Sequence, residues 1–385
     1  MVAPRLLPAA IVGGRRYFDR MNLDLTVSTA DLAGGASALV RLVPGKLIDP
    51  VLSGLLLEAD GGGVTLAAND RERAAKLARA AVVHTEGRVL VPAKPLADTL
   101  RALELPEVRL VVEGSHLAIR APGARYALPL LDVDVHPGAA APPAAVGTVD
   151  GELFSSALST VASAASRDEA LPMFTGVRIR SEDDRLVMLA TDRYQMAVAT
   201  LAWRPAGPVD ALVPAGLLTE IAKQVGGQVT LHADRDRFGL AWARSVATTS
   251  VLDGSFLHES KISVSDVDTR VQVPADALAG AVRRVGLYTD ARGVMIVEVG
   301  DGEIRLRGAD SRIGEAEESV KASVDGGRTP QAYQSRFLSD ALRAFAGRTV
   351  LMEIQPGMRA TVFSSVEEDA LGLRYVVMPM LPPKH

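Results

Sequence analysis

The sequence contains no cysteine and few aromatic residues. Its 385 residues include 0 Cys, and Phe, Trp and Tyr together make up 4%. The lack of cysteine excludes disulfide bonds, Cys-ligated zinc, iron–sulfur clusters and thiol catalysis, and it fits a reducing cytoplasm. The cores must be packed mainly by Leu, Val and Ala, within a hydrophobic content of 48%. No apolar run reaches the roughly 18 residues that could span a bilayer, so we predict a cytoplasmic protein without a membrane partner.

Motifs for nucleotide, metal and covalent chemistry are also missing. The chain has no GxxxxGK[ST] loop, no HExxH and no Gly-x-Ser-x-Gly, and its 6 histidines are scattered without ligand spacing. The pairs Asp132-x-Asp134 and Asp266-x-Asp268 could serve acid–base catalysis, for example in a hydrolase, but solvated segments between domains explain them better. We therefore predict that the protein is not an enzyme and binds no metal and no cofactor.

The sequence instead contains a three-fold internal repeat. Each copy has a glycine, an alternating strand, a polar turn, a second alternating strand and a closing Asp, over residues 53–70, 175–192 and 292–310. The glycines Gly54, Gly176 and Gly293 lie 122 and 117 residues apart. Such a spacing is typical of whole domains, because solenoid repeats are only about 20–50 residues long. The chain is therefore predicted to contain three tandem copies of one type of domain.

Each copy also predicts two helices besides its hairpins. In the middle copy the first helix has apolar Leu153, Ala157, Leu158 and Val161, with Asp150 placed to cap it. The second helix follows a Val-Pro signal at 91–92 and 213–214. The pattern indicates an antiparallel α+β domain with its helices on one face of the sheet. We predict an N-terminal extension over 1–20, disordered or preceding an alternative start at Met21, and domains over 21–145, 146–264 and 265–385.

Basic residues recur on the predicted helices although the net charge is −4. Lys94 and Arg101 lie seven residues apart, as do Arg336 and Arg343, and Lys223 falls on the matching helix of the middle copy. A spacing of seven is two helical turns, so each pair shares a face. The first helices add a second group of basic residues, namely Arg41, Lys46, Arg283 and Arg284. Ordinary solubilising charge explains any one of them, but the recurrence favours a basic lining formed jointly by the helices.

Four segments of residues 21–385 resemble the bacterial β sliding clamp of DNA polymerase III. ATDRYQMAV at 190–198 is similar to the family's ATDxxRLAV, and DPVLSGLLLE at 49–58 to its LPVLSN/G segment. LDGSF at 252–256 resembles DGxFPDY, and the ending YVVMPM lies at 375–380. The resemblance implies three tandem clamp domains and a head-to-tail homodimer that closes a ring around duplex DNA. In that ring antiparallel sheets lie outside and two helices per copy lie inside.

The resemblance also implies a function and its partners. Clamps of this family are DNA polymerase processivity factors that encircle DNA without sequence preference. They tether replicative and other polymerases, and a clamp loader places them on DNA. A ring that holds DNA by topology needs only weak phosphate contacts, which agrees with basic helices on an acidic chain.

Residue by residue, the resemblance assigns three surfaces. The DNA-binding residues are Lys46 and Lys94, joined on the helix pattern by Arg101, Lys223 and Arg343. The partner-peptide pocket between domains 2 and 3 comprises Phe174, Thr191, Arg193, Tyr194, Gln195, Met196, Leu257, Ile262, Gln334, Phe337, Val376, Val377, Met378, Pro379, Met380 and Leu381. The dimer interface pairs Tyr126, Leu128 and the basic Arg120 and Arg125 with the Val285 region and the acidic Glu315, Glu317 and Glu318.

The chain departs from the family's pattern mainly in the pocket. Gln195-Met196 replaces Arg-Leu, and FLHESKI at 256–262 replaces FPDYRRV. These changes suggest an alternative hypothesis, a divergent second copy of the clamp with an altered pocket. Such a copy would confer resistance to a clamp-directed inhibitor, or would act as a peptide or inhibitor decoy that is not loaded on DNA. The sequence leaves open whether the chain is the main replicative clamp or this second copy.

Overall fold

The fold is known from a computed structural model. The structure describes residues 22–43, 49–139, 141–254, 256, 266–327 and 330–382. Lys46, Leu257, Ile262 and the 1–20 extension lie outside the described residues. The described chain contains six α-helices, two in each copy of the repeat: α1 Thr29–Leu42, α2 Ala93–Arg101, α3 Gly151–Ser163, α4 Ala215–Ala222, α5 Ala275–Val285 and α6 Ser335–Arg343.

The strands follow the copies of the repeat. The first copy contains β1 Asp24–Ser28, β2 Gly54–Asp60, β3 Gly63–Asn69, β4 Arg73–Arg79, β5 Ala81–Thr85, β6 Gly87–Pro92, β7 Glu107–Glu113, β8 His116–Ala121 and β9 Ala124–Pro129. The second contains β10 Ala145–Asp150, β11 Gly176–Glu182, β12 Arg185–Thr191, β13 Gln195–Ala202, β14 Arg204–Pro205, β15 Asp210–Pro214, β16 Gln228–Ala233, β17 Arg237–Trp242 and β18 Ser245–Ser250. The third contains β19 Thr269–Pro274, β20 Val294–Gly300, β21 Glu303–Asp310, β22 Gly314–Lys321, β23 Ser323–Gly326, β24 Gln331–Gln334, β25 Thr349–Ile354, β26 Thr361–Ser365 and β27 Arg374–Val377.

Within the described residues, the chain divides into two compact units. The first unit is Met1–Pro142 with Gly239–Thr249, and the second is Pro143–Phe238 with Ser250–His385. In the first unit, an antiparallel sheet has the order β5-β1-β7-β8-β9, and β6, β2, β3, β4 and β18 pair in that order. Helices α1 and α2 pack on each other. The core contains fully buried Leu25, Leu32, Leu39 and Leu66.

In the second unit, one sheet combines strands of the second and third copies. Its order is β15-β11-β12-β13-β27-β26-β25-β19-β23. The joint is the antiparallel pair β13–β27, in which Gln195 faces Val377 and Val198 faces Arg374. A second sheet has the order β22-β21-β20-β24. The antiparallel α+β prediction is confirmed, and the two copies share a continuous set of backbone hydrogen bonds.

The closing Asp of the repeat has a defined local role. Asp70 Oδ1 accepts hydrogen bonds from the backbone N–H of Glu72 and Arg73, at 3.0 and 2.6 Å. In the middle copy Asp192 Oδ1 accepts from Tyr194 and Gln195, both at 2.9 Å. These are Asx-type turns, in which a short carboxylate satisfies backbone donors that the strands leave unpaired.

The repeat's glycines are required for two different reasons. A Cβ on Gly176, at the start of β11, would lie 2.8 Å from Leu212 Cδ1, and Gly54 has the same clash with Leu90. Gly293, just before β20, instead adopts φ +68°, the left-handed conformation that favours glycine. The glycine shared by the three copies is therefore required by close packing in two copies and by the backbone conformation in the third.

Two details differ from the sequence prediction. In α3, Asp150 caps the helix through Oδ1, which accepts from Glu152 and Leu153 N–H at 3.0 Å each. However, Leu153 is 36% exposed and its neighbour Phe154 is fully buried. In β12, Val187 and Leu189 are buried as well as the expected alternate residues. They pack in a cluster that includes Val362 from the third copy, so this strand is buried on both faces, which period-2 alternation could not predict.

Candidate functional site

The turn between β12 and β13 carries the centre of the predicted pocket. Thr191 Oγ1 donates to Gln195 O at 2.6 Å and accepts from Arg193 N–H at 3.1 Å. Arg193 takes φ +82°, an uncommon conformation for a residue with a side chain. The carboxylate of Asp192 fixes the following two amides, as described above. The turn is therefore tightly held, and it directs Arg193 and Tyr194 toward solvent.

Three aromatic rings and two guanidinium groups meet at this turn. The Tyr194 ring stacks on Phe337 of α6 with centroids 6.1 Å apart and an interplanar angle of 17°. Arg193 Cζ lies 5.9 Å from the Phe174 ring centre and 5.7 Å from that of Tyr194. Arg336 Cζ lies 4.5 Å from the ring centre of Phe337, within cation–π range. Phe337 is 2% exposed and Tyr194 is 51% exposed, so Tyr194 is the accessible ring.

The segment after β27 forms the adjoining side of the site. Met378 N–H donates to Tyr194 O at 2.8 Å, and Met380 N–H donates to Ala332 O at 2.7 Å. Val376 and Val377 are buried, as is Pro379, whereas Met378 is 36% and Leu381 74% exposed. We call the solvent-facing group of Arg193, Tyr194, Met378 and Leu381 the pocket surface.

Beneath the turn lies an apolar floor. Met196 and Val376 belong to one buried cluster, completed by Val187, Leu189, Val198, Ala360 and Val362, and Phe256 packs against it. Met196 is 2% exposed and Val376 6%. These two predicted pocket residues therefore support the site from below in this structure.

Gln195 is a buried polar link beneath the turn. It is 5% exposed. Its Oε1 accepts from Tyr375 Oη at 2.9 Å, and its Nε2 donates to Asp192 Oδ2 at 3.2 Å. The Tyr375 hydroxyl is protonated at neutral pH, as expected from a usual tyrosine pKa of about 10, and burial raises its pKa further.

A polar cleft of about 480 Å³ opens beside the aromatic pair. It is lined by Gln195, Phe337 and Asp340 among others, and by Arg167 and Asp168 after α3. Burial raises the pKa of Asp340, and Arg343 opposes this shift. Gln334, which the sequence places in the pocket, donates from Nε2 to Arg292 O at 2.9 Å. Sequence reasoning missed Arg167 and Asp340, although Asp340 sits on the same helix as the predicted Phe337.

Each predicted DNA-binding cation within the described residues forms an ion pair on its own helix. Lys94 Nζ and Arg101 Nη2 both lie 2.5 Å from Asp98 carboxylate oxygens. Lys223 Nζ lies 2.7 Å from Glu220 Oε1. Arg343 Nη2 lies 2.9 Å from Asp340 Oδ1. The cations remain 56–75% exposed, so they are accessible to solvent.

The predicted interface residues of the first unit cluster near strand β9, an edge strand of its sheet. Tyr126 is 41% exposed, whereas Leu128 is 8% exposed. Arg120 and Arg125 both bind Glu113, at 2.5 and 2.6 Å. The Arg125 and Arg120 guanidinium groups lower the pKa of the Glu113 carboxyl.

The predicted interface residues of the second unit lie on and beside β22, also an edge strand. Glu317 lies 2.7 Å from Arg307, and Glu318 lies 2.5 Å from Arg284, whose guanidinium lowers the Glu318 pKa. Val285 is 1% exposed and belongs to the core. The accessible apolar residues of that region are Leu287, 69% exposed, Tyr288, 38% exposed, and Ile313 just before β22, 58% exposed. Glu315 is among the exposed residues of β22 itself.

Across the described ranges, no group of three or more His, Cys, Asp or Glu side chains could hold a metal ion. The same ranges contain no helix long and apolar enough to cross a bilayer.

Three family models cover most of the chain. The N-terminal, central and C-terminal domains of the DNA polymerase III beta subunit match residues 23–140, 148–258 and 265–381, respectively. The chain belongs to the DNA polymerase III beta subunit family. Its relatives include the beta sliding clamp of Streptomyces coelicolor, 31% identical over 363 residues, which cover 91% of this chain and 96% of that protein. The beta sliding clamp homolog GriR of Streptomyces muensis is 28% identical over 360 residues, with the same two shares.

Solved structures support the family's fold for this chain. The Thermotoga maritima beta subunit matches with a TM-score of 0.84 at 20% identity, covering 94% of this chain and 100% of that one. The Pseudomonas aeruginosa sliding clamp bound to griselimycin matches with the same TM-score and coverage at 19% identity. At these identities the likeness concerns the fold, which is that of a sliding clamp with three tandem domains.

Proposed function

We propose that this protein is a DNA polymerase processivity factor, a sliding clamp that encircles duplex DNA and tethers its partners there. The observation that carries the proposal is the match of all three beta subunit domains, in order, over residues 23–381. Its domains would divide at 145/146 and 264/265. The proposed role is non-enzymatic and, with DNA as the partner, cytoplasmic.

Partner proteins would bind the pocket surface. Tyr194 and Leu381 are exposed, and the Tyr194 ring is held by its stacking on Phe337, which suits an anchor for a short apolar peptide. Met378 adds a flexible thioether that adapts to several ligands. Polymerases and the clamp loader are the proposed partners, because clamps of this family use one such pocket for several proteins.

The ring would form by head-to-tail pairing of two copies. Such an interface joins two unlike surfaces, here the β9 edge with Tyr126 and the β22 edge with Leu287 and Glu315. Arg120, Arg125, Glu317 and Glu318 already have partners within one protomer. Their interface role would therefore be an exchange or sharing of ion pairs between copies.

Topological retention on DNA tests the proposed function. The protein is incubated with nicked circular DNA, a clamp loader and ATP, and the DNA complex is isolated at high salt before and after linearisation. A clamp stays on the circle and is lost from the linear form. Loss from both forms at equal rates, or equal retention on both, contradicts the proposal.

Substitution of exposed residues tests the pocket surface separately. Tyr194→Ala and Met378→Ala should each weaken binding of a clamp-binding polymerase peptide by roughly tenfold or more, the size of an interface hot-spot effect. The melting temperature should change little, because Tyr194 is 51% and Met378 36% exposed and neither belongs to the buried core. Met358→Ala, a substitution at a methionine that is 49% exposed, is the matched control and should leave the affinity unchanged.

A second candidate is the divergent copy that resists a clamp-directed inhibitor. The observation that favours it is Gln195, which is buried against Tyr375 where the family has an arginine. The similarity to the homolog GriR is compatible with it. Griselimycin, which is bound to the P. aeruginosa clamp, is a suitable probe. We expect this chain to bind griselimycin more weakly than the host's other clamp while binding a polymerase peptide with similar affinity. Equal affinities for both ligands reject this candidate.

A further inference from the structure

The second helix of every copy carries an acidic residue at the same position. Asp98, Glu220 and Asp340 are each the sixth residue of α2, α4 and α6. The basic residues Arg101, Lys223 and Arg343 each follow three positions later. The rest of the three helical sequences is not identical, since the first turns read AKP, AGL and SRF.

In each helix the acidic and basic side chains are in direct contact. The nitrogen–oxygen distances of the three matched pairs are 2.5, 2.7 and 2.9 Å. On α2, Asp98 is shared with a second cation, Lys94, which lowers the pKa of its carboxyl. The carboxylates are less exposed than the cations they bind: 45% against 65% on α2, 15% against 56% on α4 and 24% against 70% on α6.

Helix stabilisation alone explains these pairs poorly. An exposed ion pair of this type adds little to stability, because solvent screens it and two long side chains must be ordered. At Asp340 the carboxylate is held although burial raises its pKa, which means that the folded state disfavours its charged form. The three positions have in common that each acid neutralises a cation proposed to face DNA.

We propose that these three carboxylates attenuate the attraction between the clamp and the DNA backbone. A lysine or arginine that already binds a carboxylate must release or share it before it can bind a phosphate. The cations thus remain available for brief contacts with phosphates, while tight phosphate contacts, which would slow sliding, are suppressed. This inference rests on the proposed function, in which these helices face the duplex.

The test removes the three negative charges and measures DNA affinity without loading. The variant Asp98→Asn/Glu220→Gln/Asp340→Asn and the parent protein are titrated with a short fluorescent duplex at several salt concentrations. We expect an affinity gain of about two- to fivefold for each freed cation at low salt. The slope of log affinity against log salt concentration should steepen by about 1 for each new phosphate contact.

A control variant gains the same charge away from the helices. Asp134→Asn/Asp266→Asn/Glu353→Gln removes three carboxylates that bind Arg88, Arg359 and Arg270 at 3.0, 2.6 and 3.3 Å. A smaller gain in the control than in the helix variant supports the proposal. An equal gain in both, or no gain in the helix variant, overturns it. The single variant Asp98→Asn, at the most exposed of the three acids, keeps the test decisive if the triple variant folds poorly.

The experiments distinguish a failure of the proposed attenuation from a failure of the proposed function. Retention on circular DNA with no affinity change in the helix variant would leave the clamp role standing and reject the attenuation. An affinity gain without retention on circular DNA would reject the clamp role, and with it the role of the carboxylates in sliding, although the carboxylates would still weaken DNA binding.

Discussion

The hydroxyl of Tyr375 donates to Gln195 Oε1 at 2.9 Å, although the two residues are 180 positions apart in the sequence. Tyr375 lies on β27 and Gln195 opens β13, so the bond crosses the joint between the second and third copies. Tyr375 is 0% exposed and Gln195 5%. Because Gln195 also donates to Asp192, this one amide connects the joint to the turn that presents Tyr194.

Removing the Tyr375 hydroxyl should destabilise the second unit. Tyr375→Phe keeps the ring but leaves Gln195 Oε1 buried without that donor, which costs about 1–3 kcal/mol. Urea denaturation should show a lower midpoint with an unchanged slope. Tyr288→Phe, at a tyrosine that is 38% exposed, is the control and should have little effect. Identical midpoints for both variants would contradict a structural role for this bond.

The proposed dimer interface can be tested at the edges of one sheet. Tyr126 lies on the β9 edge and Val82 on the β5 edge of the same five-stranded sheet, and they are 41% and 62% exposed. Tyr126→Ala should raise the dimer dissociation constant roughly tenfold or more, as expected for an interface tyrosine. Val82→Ala should leave it unchanged. Sedimentation equilibrium measures both, and a common dissociation constant would place the interface elsewhere.

Acid should destabilise the protein partly through Glu113. Arg125 and Arg120 lower its pKa in the folded state, so the unfolded chain binds the proton more tightly. The stabilisation is present above the unfolded pKa of about 4.3 and is lost as the pH falls through the folded pKa. Glu113→Gln should therefore show a shallower loss of stability as the pH falls below about 4.3.

Urea midpoints at pH 5.5, 4.5 and 3.5 measure this effect. Glu107→Gln, at another glutamate of β7, is the control and should follow the parent protein. If Glu113→Gln and the parent lose stability in parallel, the Arg–Glu cluster contributes nothing to acid sensitivity.

Two glycine substitutions should have opposite effects on stability. Gly293 has φ +68°, and a Cβ there would lie 3.2 Å from Ser335 Oγ, so Gly293→Ala should cost about 1 kcal/mol or more. Gly216 is the second residue of α4, and no atom lies within 4 Å of the position its Cβ would take, so Gly216→Ala should add up to about 0.5 kcal/mol through helix propensity. Thermal unfolding measures the change in melting temperature of each variant. A shift in the same direction for both would contradict the different roles given to the two glycines.

Local features of the fold were predictable from the sequence. The period-2 hairpins, the Asp150 cap and the Pro92 and Pro214 helix starts depend on contacts between neighbours in the sequence. The sequence shows that each repeat ends in Asp. Only the structure shows that this Asp accepts hydrogen bonds from the amides that follow it.

Features that depend on distant contacts were not predictable. The burial of Val187 and Leu189 requires strands of the third copy, and alternation within β12 carries no sign of them. The sequence marks Gln195 as a departure from the family's pocket residues, but only the fold brings it against Tyr375, beneath the turn. The ion pairs at Asp98, Glu220 and Asp340 lie within single helices, and their acidic members could have been found by aligning the three second helices.

The pairing of β13 with β27 has a consequence for synthesis on the ribosome. Gln195 and its partner Val377 are separated by 182 residues, which take roughly 10–35 s to translate at about 5–20 residues per second. During that interval the second copy has no partner for this side of β13, and an open strand edge invites pairing with other chains. Folding in the cell therefore includes a vulnerable period set by translation speed, and slow codons or a pause between the two copies would lengthen it.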